Sequence, residues 1–202
     1  MPDITFEKNA YENGRRFVCG IDEAGRGPLC GPVYAAAVIL PAGLTIDGLD
    51  DSKKLSAKKR EILFEIIKEK AVDYSIAFAT ENEIDEINIL NATFLAMRRA
   101  ARGLKNCDYA LVDGNRIKDL GVDCECIVQG DGKCASIAAA SIIAKVTRDR
   151  YMEELDKIYP QYKLAVHKGY ATPEHIALLR AHGPCGIYRK SFLKNILGEK
   201  DA

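Results

Sequence analysis

The sequence predicts an α/β fold, in which a sheet packs against helices and a helical extension follows it. Short apolar segments typical of buried strands alternate with helix-periodic segments up to about residue 150. Only helical patterns follow that point. The chain of 202 residues is 48% hydrophobic, a composition typical of an ordinary globular protein. We therefore expect one structural unit with two parts, residues 1–160 as the main domain and 161–202 as the extension.

The predicted strands are short and mostly apolar on both faces, as in the interior of an α/β sheet. They cover residues 17–22, 33–40, 72–79, 109–112 and 124–128. Helices are predicted over residues 57–70, from residue 80, over 91–104 and 136–159, and from 173 to near 183, with an amphipathic last helix over 191–197. Ser56, Thr80 and Thr172 are predicted N-caps, and Pro160 is expected to end the longest helix.

Composition excludes several classes of protein. The 29 basic and 29 acidic residues balance, and no apolar run approaches the ~20 residues that span a bilayer. The first residues contain no apolar core of a signal peptide, so we expect a cytoplasmic protein, without membrane association and monomeric. The seven cysteines show no paired C-x-x-C spacing, which argues against a structural zinc site and fits a reducing compartment.

Acidic side chains follow three of the predicted strands at the point where each strand ends. Asp22 and Glu23 end the first strand, Asp113 ends the fourth, and Asp131 follows the fifth. In α/β sheets, ligands bind beyond the carboxyl ends of strands, so these acids can converge although they are distant in sequence. Converging carboxylates without a nearby histidine or cysteine favour Mg²⁺ or Mn²⁺, which indicates metal-assisted hydrolysis of a phosphodiester. Each Asp-Gly pair taken alone is more often a simple turn.

A glycine-rich segment follows the first acidic pair. Gly25, Arg26 and Gly27 do not have the spacing of a dinucleotide fingerprint, and Pro28 interrupts the pattern. Glycines do allow the main chain to approach a sugar-phosphate backbone closely, and arginine supplies a charged fork. Residues 163–194 also contain six lysines and arginines but one glutamate, a local basic surface suited to a polyanion.

The sequence resembles the ribonuclease HII family, the bacterial type 2 ribonucleases H. The matching segments occur in family order along nearly the whole chain. They are residues 20–32 (GIDEAGRGPLCGP), 51–56 (DSKKLS), 88–93 (NILNAT), 112–116 (VDGNR), 130–131 (GD), 136–149 (SIAAASIIAKVTRD), 167–172 (HKGYAT) and 189–192 (RKSF).

The resemblance implies a ribonuclease H-like fold, with a mixed five-stranded sheet flanked by helices and a C-terminal helical part. It implies that Asp22, Glu23, Asp113 and Asp131 are the catalytic residues and hold one or two Mg²⁺ or Mn²⁺ ions. The segment Gly25-Arg26-Gly27 would read the ribose 2′-hydroxyl, the group that distinguishes RNA from DNA. Tyr170 would stack on the sugar of the next deoxynucleotide. The family cuts RNA in RNA–DNA hybrids and cuts 5′ of single ribonucleotides in duplex DNA, leaving 3′-hydroxyl and 5′-phosphate ends.

Further substrate contacts are predicted at three positions. Lys53 and Lys54 belong to the DSKK segment and would contact phosphates, although isolated lysines are more often only solvated. Ser136 begins a buried helix whose N–H groups could bind a phosphate, and a simple N-cap explains it equally well. The segment 191–197 could contact a sliding clamp, but an amphipathic last helix is its simpler interpretation.

Two other functions are compatible with parts of the sequence. A non-catalytic hybrid-binding protein would keep the basic surface, but buried carboxylates without a metal would only oppose phosphate binding. A phosphatase acting on small substrates would have no use for the basic C-terminal surface. A steep salt dependence of affinity would identify a duplex partner and exclude the phosphatase.

Overall fold

The computed structural model describes residues 2–197, apart from the side chain at position 195. The strands are β1 (Val18–Ala24), β2 (Val33–Ile39), β3 (Asp73–Ala79), β4 (Tyr109–Asp113) and β5 (Cys124–Ile127). The α-helices are α1 (Thr5–Glu12), α2 (Ala57–Lys70), α3 (Glu81–Arg102), α4 (Ala135–Ile158), α5 (Leu164–His167), α6 (Pro173–His182) and α7 (Lys190–Leu197). The predicted α/β class with a helical C-terminal part is confirmed, while residues 198–202 of the predicted extension lie outside the described residues.

The five strands form one mixed sheet in the order β3-β2-β1-β4-β5. β1 pairs antiparallel with β2 and parallel with β4, and β4 pairs parallel with β5. The three parallel strands therefore end at the same edge of the sheet. The loops that follow them must meet there, which is where the predicted acids lie.

Helices cover both faces of the sheet. On one face, α2 and α4 pack against β2 through residues such as Ile67, Ala139 and Val38. On the other face, α3 packs through Ala96, Met97 and Ala100. The alanines of β2 keep that strand thin, so that a helix can approach closely from either side.

Gly20 in β1 allows a helix to approach the sheet closely. A Cβ atom at this position would lie 2.1 Å from the backbone carbon of Ser136, at the start of α4. No side chain fits there. Because glycine has no side chain, the first turn of α4 can lie directly against the strand that carries Asp22.

Most predicted boundaries agree with the structure to within one or two residues, and the predicted caps are present. The Ser56 hydroxyl accepts the N–H of Lys59, and the Thr172 hydroxyl accepts that of His175. The helix α1 was not predicted, because its eight residues bury only Glu7 and Ala10. The two helices predicted between residues 80 and 104 form one element, α3, which is kinked at Asn88.

The C-terminal part adds a separate group of buried side chains. Leu164, Leu179 and Leu193 from the extension pack with Met152 of α4 and with Leu29. Leu29 lies in the loop between β1 and β2 that begins with the glycine-rich segment. This core links the extension to both the main helix and the loop after β1. No helix among residues 2–197 is long and apolar enough to cross a bilayer. All seven cysteines are free thiols.

Candidate active site

The carboxyl ends of the three parallel strands bring the predicted acids to one edge of the sheet. Asp22 and Glu23 lie in the last residues of β1, Asp113 ends β4, and Asp131 follows β5 in a single turn of 3-10 helix, Gly130–Gly132. The Asp113 carboxylate accepts the N–H of Gly130 at 2.7 Å, which ties the end of β4 to the turn that carries Asp131. A cavity of about 190 Å³ is lined by Asp22, Glu23 and Asp113.

The electrostatics of these acids show that they oppose one another. Burial raises the pKa of Asp22 well above its ordinary value, and the charges of Glu23 and Asp113 add to the effect. Burial also raises the pKa of Glu23, against the opposing influence of Arg26. Burial and the charge of Asp113 raise the pKa of Asp131, against the opposing influence of Lys53. The cluster therefore has an excess of negative charge that its own cations only partly offset.

The donor set fits a hard divalent cation in its chemistry. The carboxylates offer only oxygen atoms to a cation. The raised pKa values of Asp22 and Asp131 indicate that positive charge would be stabilising at this edge of the sheet. Within the described part of the chain, no three carboxylate, imidazole or thiol groups stand close enough to hold an ion as they are. Asp131 is 6% exposed and is not among the residues that line the cavity. Its carboxylate lies 3.4 Å from the ammonium of Lys53, which does line it.

The glycine-rich loop lines the same cavity as the acids and is held from behind by a buried arginine. The guanidinium of Arg189, at the end of the loop that precedes α7, is fully buried. It donates to the carbonyl oxygens of Gly25 at 2.7 Å, Arg26 at 3.0 Å and Pro28 at 2.8 Å. A fourth donation reaches the carbonyl of Gly31 at 2.8 Å. These bonds turn the carbonyls inward and leave the other side of the loop facing the cavity.

A second buried arginine supports the loop. Arg148 of α4 donates to the carbonyls of Cys30 and Pro32, each at 3.2 Å, and to that of Lys168 at 3.1 Å. A Cβ atom at Gly25 would lie 2.0 Å from the Nε atom of Arg148, and φ at Gly25 is +98°, so this position requires glycine. Arg26 and Gly27 are exposed, and Arg26 reaches the Glu23 carboxylate at 3.5 Å.

Tyr170 lines the same cavity as the acids. Its ring lies 3.5 Å from the place where a Cβ at Gly27 would stand, and 42% of the residue is exposed. The ammonium of Lys145 is 5.9 Å from the ring centroid and also lines the cavity. The structure thus brings Gly25, Arg26, Gly27 and Tyr170 together beside the acids.

The three remaining predicted substrate contacts, Lys53, Lys54 and Ser136, differ in whether they reach the cavity. Lys53 lines the cavity, whereas Lys54 is exposed, pairs with Asp50 at 3.7 Å and is not among the lining residues. Ser136 is a correction to the prediction. It is fully buried, its N–H donates to the Glu7 carboxylate at 2.7 Å, and Cys134 rather than Ser136 is the N-cap residue of α4. A phosphate has no access to this N–H.

Sequence reasoning missed several residues at the site. Ser52 and Ser141 are buried, share a hydrogen bond of 2.8 Å and line the cavity. Ser141 also lies beside Asp22, where its hydroxyl partly offsets the rise in the pKa of that acid. Asn115 and Arg116 line a smaller cavity of about 90 Å³ next to Glu23 and Asp113. All four belong to segments that carry the family resemblance, which was the available signal.

Comparison with known proteins adds the decisive observation. A family model described as Ribonuclease HII matches residues 19–195 of this chain. The chain belongs to the ribonuclease HII family. Ribonuclease HII of Caldicellulosiruptor saccharolyticus is 55% identical over 192 residues, which are 95% of this chain and 94% of that protein. Ribonuclease HII of Endomicrobium trichonymphae is 57% identical over 191 residues, 94% of this chain and 91% of that one.

Solved structures of the family share the fold. The ribonuclease H2 of Pyrococcus horikoshii OT3 superimposes with a TM-score of 0.72 at 28% identity, covering 87% of this chain and 93% of that one. The ribonuclease HII of Archaeoglobus fulgidus, solved in a complex with PCNA, gives a TM-score of 0.69 at 27% identity, covering 87% and 94%. This member of the ribonuclease HII family is an endoribonuclease with ribonuclease H activity.

Proposed function

We propose that this enzyme cleaves the RNA strand of RNA–DNA hybrids and cuts 5′ of single ribonucleotides in duplex DNA, leaving 3′-hydroxyl and 5′-phosphate ends. One observation carries the proposal. The cavity that Asp22, Glu23 and Asp113 line is also lined by the glycine-rich loop and by Tyr170. Groups suited to reading a ribose are therefore within one nucleotide's reach of groups suited to hydrolysing the adjoining phosphate.

We assign the metal site to Asp22, Glu23, Asp113 and Asp131, with Mg²⁺ or Mn²⁺ as the ion and one or two ions bound. Bound there, the cation would offset the crowded negative charge and polarise the phosphate. The carboxylates also orient the attacking water by accepting its hydrogen bonds. A ribonuclease HIII of the same fold was solved in complex with Mn²⁺. The Lys53 ammonium pairs with Asp131 at 3.4 Å and lines the cavity, where it would be available to a phosphate.

Recognition of the ribose is assigned to the glycine-rich loop. The carbonyls of Gly25 and Arg26 already accept hydrogen bonds from the buried Arg189 guanidinium. Within the described part of the chain, the N–H groups of Arg26 and Gly27 have no protein acceptor. We assign these donors to the 2′-hydroxyl, with the Arg26 guanidinium directed at a neighbouring phosphate. The exposed ring of Tyr170 supports stacking on the sugar of the next deoxynucleotide.

Phosphate contacts farther along the duplex are assigned to Lys53 and Lys54. Both are exposed and belong to the loop that precedes α2, and Lys53 lines the cavity. The proposed partner is a nucleic-acid duplex. A monomeric state, a cytoplasmic location and a sliding-clamp contact through residues 191–197 stay predictions.

The test uses a duplex with one embedded ribonucleotide and an all-DNA duplex of the same sequence, each incubated with Mg²⁺ or Mn²⁺. The wild-type enzyme should cut only the first, on the 5′ side of the ribonucleotide. Polymerase extension should detect the 3′-hydroxyl, and ligation the 5′-phosphate. Asp22→Asn should cut at least about 100-fold more slowly, as expected when an electrostatic group of the reaction is lost.

The matched control is Glu69→Gln, which removes one exposed carboxylate at the end of α2 that does not line the cavity. It should cut like the wild type. Undiminished cutting by Asp22→Asn would refute the metal assignment. Cutting on the 3′ side of the ribonucleotide, or equal cutting of both duplexes, would refute the substrate assignment.

A further inference from the structure

Tyr170 combines an exposed side chain with an unusually well-held backbone. Its N–H donates to the carbonyl of His167 at 2.9 Å, and its own carbonyl accepts the N–H of Thr172 at 2.8 Å. The carbonyl of the preceding residue, Gly169, accepts the N–H of Leu29 at 2.8 Å, which joins this loop to the glycine-rich loop. An exposed loop that contacts only solvent has no need of such support.

A buried hydrogen-bonded chain also reaches the Tyr170 carbonyl. The Nδ1 atom of His175 lies 2.9 Å from that oxygen, and the Nε2 atom lies 2.9 Å from the Tyr188 hydroxyl. A carbonyl oxygen only accepts, so Nδ1 carries the hydrogen. Burial lowers the pKa of His175, which favours the neutral ring, and Nε2 then accepts the Tyr188 hydroxyl hydrogen. His175 is fully buried and Tyr188 is nearly so.

A second imidazole stacks on the first. The rings of His167 and His175 are 4.1 Å apart and inclined by 17°. His167 donates from Nε2 to the carbonyl of Tyr162 at 2.8 Å and accepts the N–H of Gly169 at Nδ1, at 3.2 Å. Both nitrogens of each ring are therefore used, and two of the four bonds end on the main chain at residues 169 and 170.

We infer that His167, His175 and Tyr188 form a positioning unit, which fixes the backbone of Tyr170 so that its ring is preorganised for the substrate. None of the three lines the cavity, and the three act through the main chain of residues 169 and 170. The inference rests on the proposed substrate contact of Tyr170. It assigns a role to the C-terminal part of the chain, since Tyr188 precedes α7 and His175 lies in α6.

The main test is Tyr188→Phe, which removes one oxygen and retains the ring. Hydrogen exchange of the amides at residues 169–172 should become faster in the free protein, because the His175 ring loses the bond that sets its orientation. The KM for a duplex with one ribonucleotide should rise about fivefold, the effect of losing one buried hydrogen bond, with kcat nearly unchanged. Tyr159→Phe, at a half-buried tyrosine on the same core, is the matched control and should change neither quantity.

Two further variants separate positioning from general destabilisation. His175→Asn retains a donor at the place of Nδ1 but, like Tyr188→Phe, loses the bond between Nε2 and the Tyr188 hydroxyl. Exchange at residue 170 should therefore be faster than in the wild type but slower than in His175→Leu, which loses both bonds. In a double-mutant cycle, the effect of Tyr188→Phe on KM should disappear in a Tyr170→Ala background.

Unchanged amide exchange in Tyr188→Phe would overturn the inference whatever the kinetics show. An effect on KM that persists without the Tyr170 ring would overturn it as well. If Tyr170→Ala alone cleaves like the wild type, the proposed contact of Tyr170 fails, and the exchange measurement still decides whether the unit holds the loop.

Discussion

At the scale of single residues, Asp22 lies where its charge lowers the stability of the fold but serves the proposed reaction. The residue is 3% exposed and shares a cavity with two other carboxylates. Its Oδ1 atom accepts the N–H of Glu23 at 2.7 Å, which fixes the side chain in place despite the repulsion. Such an arrangement costs folding free energy in the absence of a counter-charge.

The first prediction follows from that cost. Asp22→Asn retains an oxygen for the Glu23 N–H and removes one buried charge, so the variant should be more stable than the wild type in the presence of a chelator. A gain of about 1 kcal/mol would raise Tm by about 2–4 °C for a domain of this size. Differential scanning calorimetry in EDTA measures it. A lower Tm would show that the charge is already compensated by the protein.

The glycine-rich loop supports a second prediction from a matched pair of variants. Gly25→Ala should destabilise the fold by about 1–3 kcal/mol, because its φ of +98° is strained for alanine and Arg148 occupies the space. The free energy of unfolding of Gly27→Ala should lie within about 0.5 kcal/mol of the wild-type value, since the added Cβ meets only the Tyr170 ring at 3.5 Å.

Cleavage should respond differently from stability in this pair. The added methyl of Gly27→Ala faces the cavity, so its KM should rise several-fold although the fold is intact. Urea unfolding and steady-state kinetics of both variants check the prediction. A fully active Gly27→Ala would show that the backbone at position 27 does not approach the substrate.

Residue-scale sequence reasoning found the acids because each follows an apolar strand. It did not find the role of Arg189. An arginine within an R-K-S-F segment has the pattern of a surface residue, and its burial depends on carbonyls located about 160 positions earlier in the chain. The prediction of a phosphate contact at Ser136 was wrong for the same reason. The group that occupies its N–H is Glu7, on a helix without a strong sequence signal.

At the scale of secondary-structure elements, α3 contains a break between the two helices that the sequence predicted there. Asn88 has φ 64° and ψ 162°, outside the helical region, and its side chain accepts the N–H groups of Leu90 and Asn91 at 3.1 and 3.2 Å. It is thus an N-cap for the second half of the helix. The prediction of two helices is physically sound, but their continuity across the kink required tertiary packing.

The start of α3 supports a prediction on pH. Thr80 and Glu83 form a capping box, and Arg99 donates two hydrogen bonds to the Glu83 carboxylate. The Arg99 side chain lowers the pKa of Glu83 to about 2. Because this pKa is lower in the folded state, the stabilisation is complete above the ordinary value of 4.5 and is lost as pH falls toward 2.

The measurement compares the wild type with Glu83→Gln by urea unfolding at pH 7, 4.5 and 3. The wild type should be more stable at pH 7, and the difference should shrink below pH 4.5. Glu86→Gln, at an exposed position of the same helix, should show a smaller difference throughout. A difference that grows on acidification would contradict the assignment.

At the scale of the whole molecule, the helical extension shares its core with the rest of the chain. Leu29 and Cys30 follow β1 and pack with Leu164, Leu179 and Tyr188 from the extension. The sequence predicted the extension from helical periodicity, but two of its packing partners, Leu29 and Cys30, come from a loop, which carries no periodicity. The division at residue 160 stays a prediction.

A fourth prediction tests that division. If the two parts form one structural unit, thermal unfolding should show a single transition by far-UV circular dichroism and by tyrosine fluorescence. Leu179→Ala, in the shared core, should reduce the free energy of unfolding by about 2–5 kcal/mol and lower the Tm of the single transition. Two resolved transitions, with only one shifted by the substitution, would show independent domains.

The two buried arginines have a consequence for how readily this enzyme can change its substrate. Arg148 and Arg189 grip peptide oxygens, which all twenty amino acids supply alike, so the shape of the loop after β1 is set without reference to its outward side chains. The side chain at position 26 can therefore be changed without changing the backbone of the loop. A library randomised at that codon alone would sample new sugar and backbone preferences while every member inherits the same scaffold.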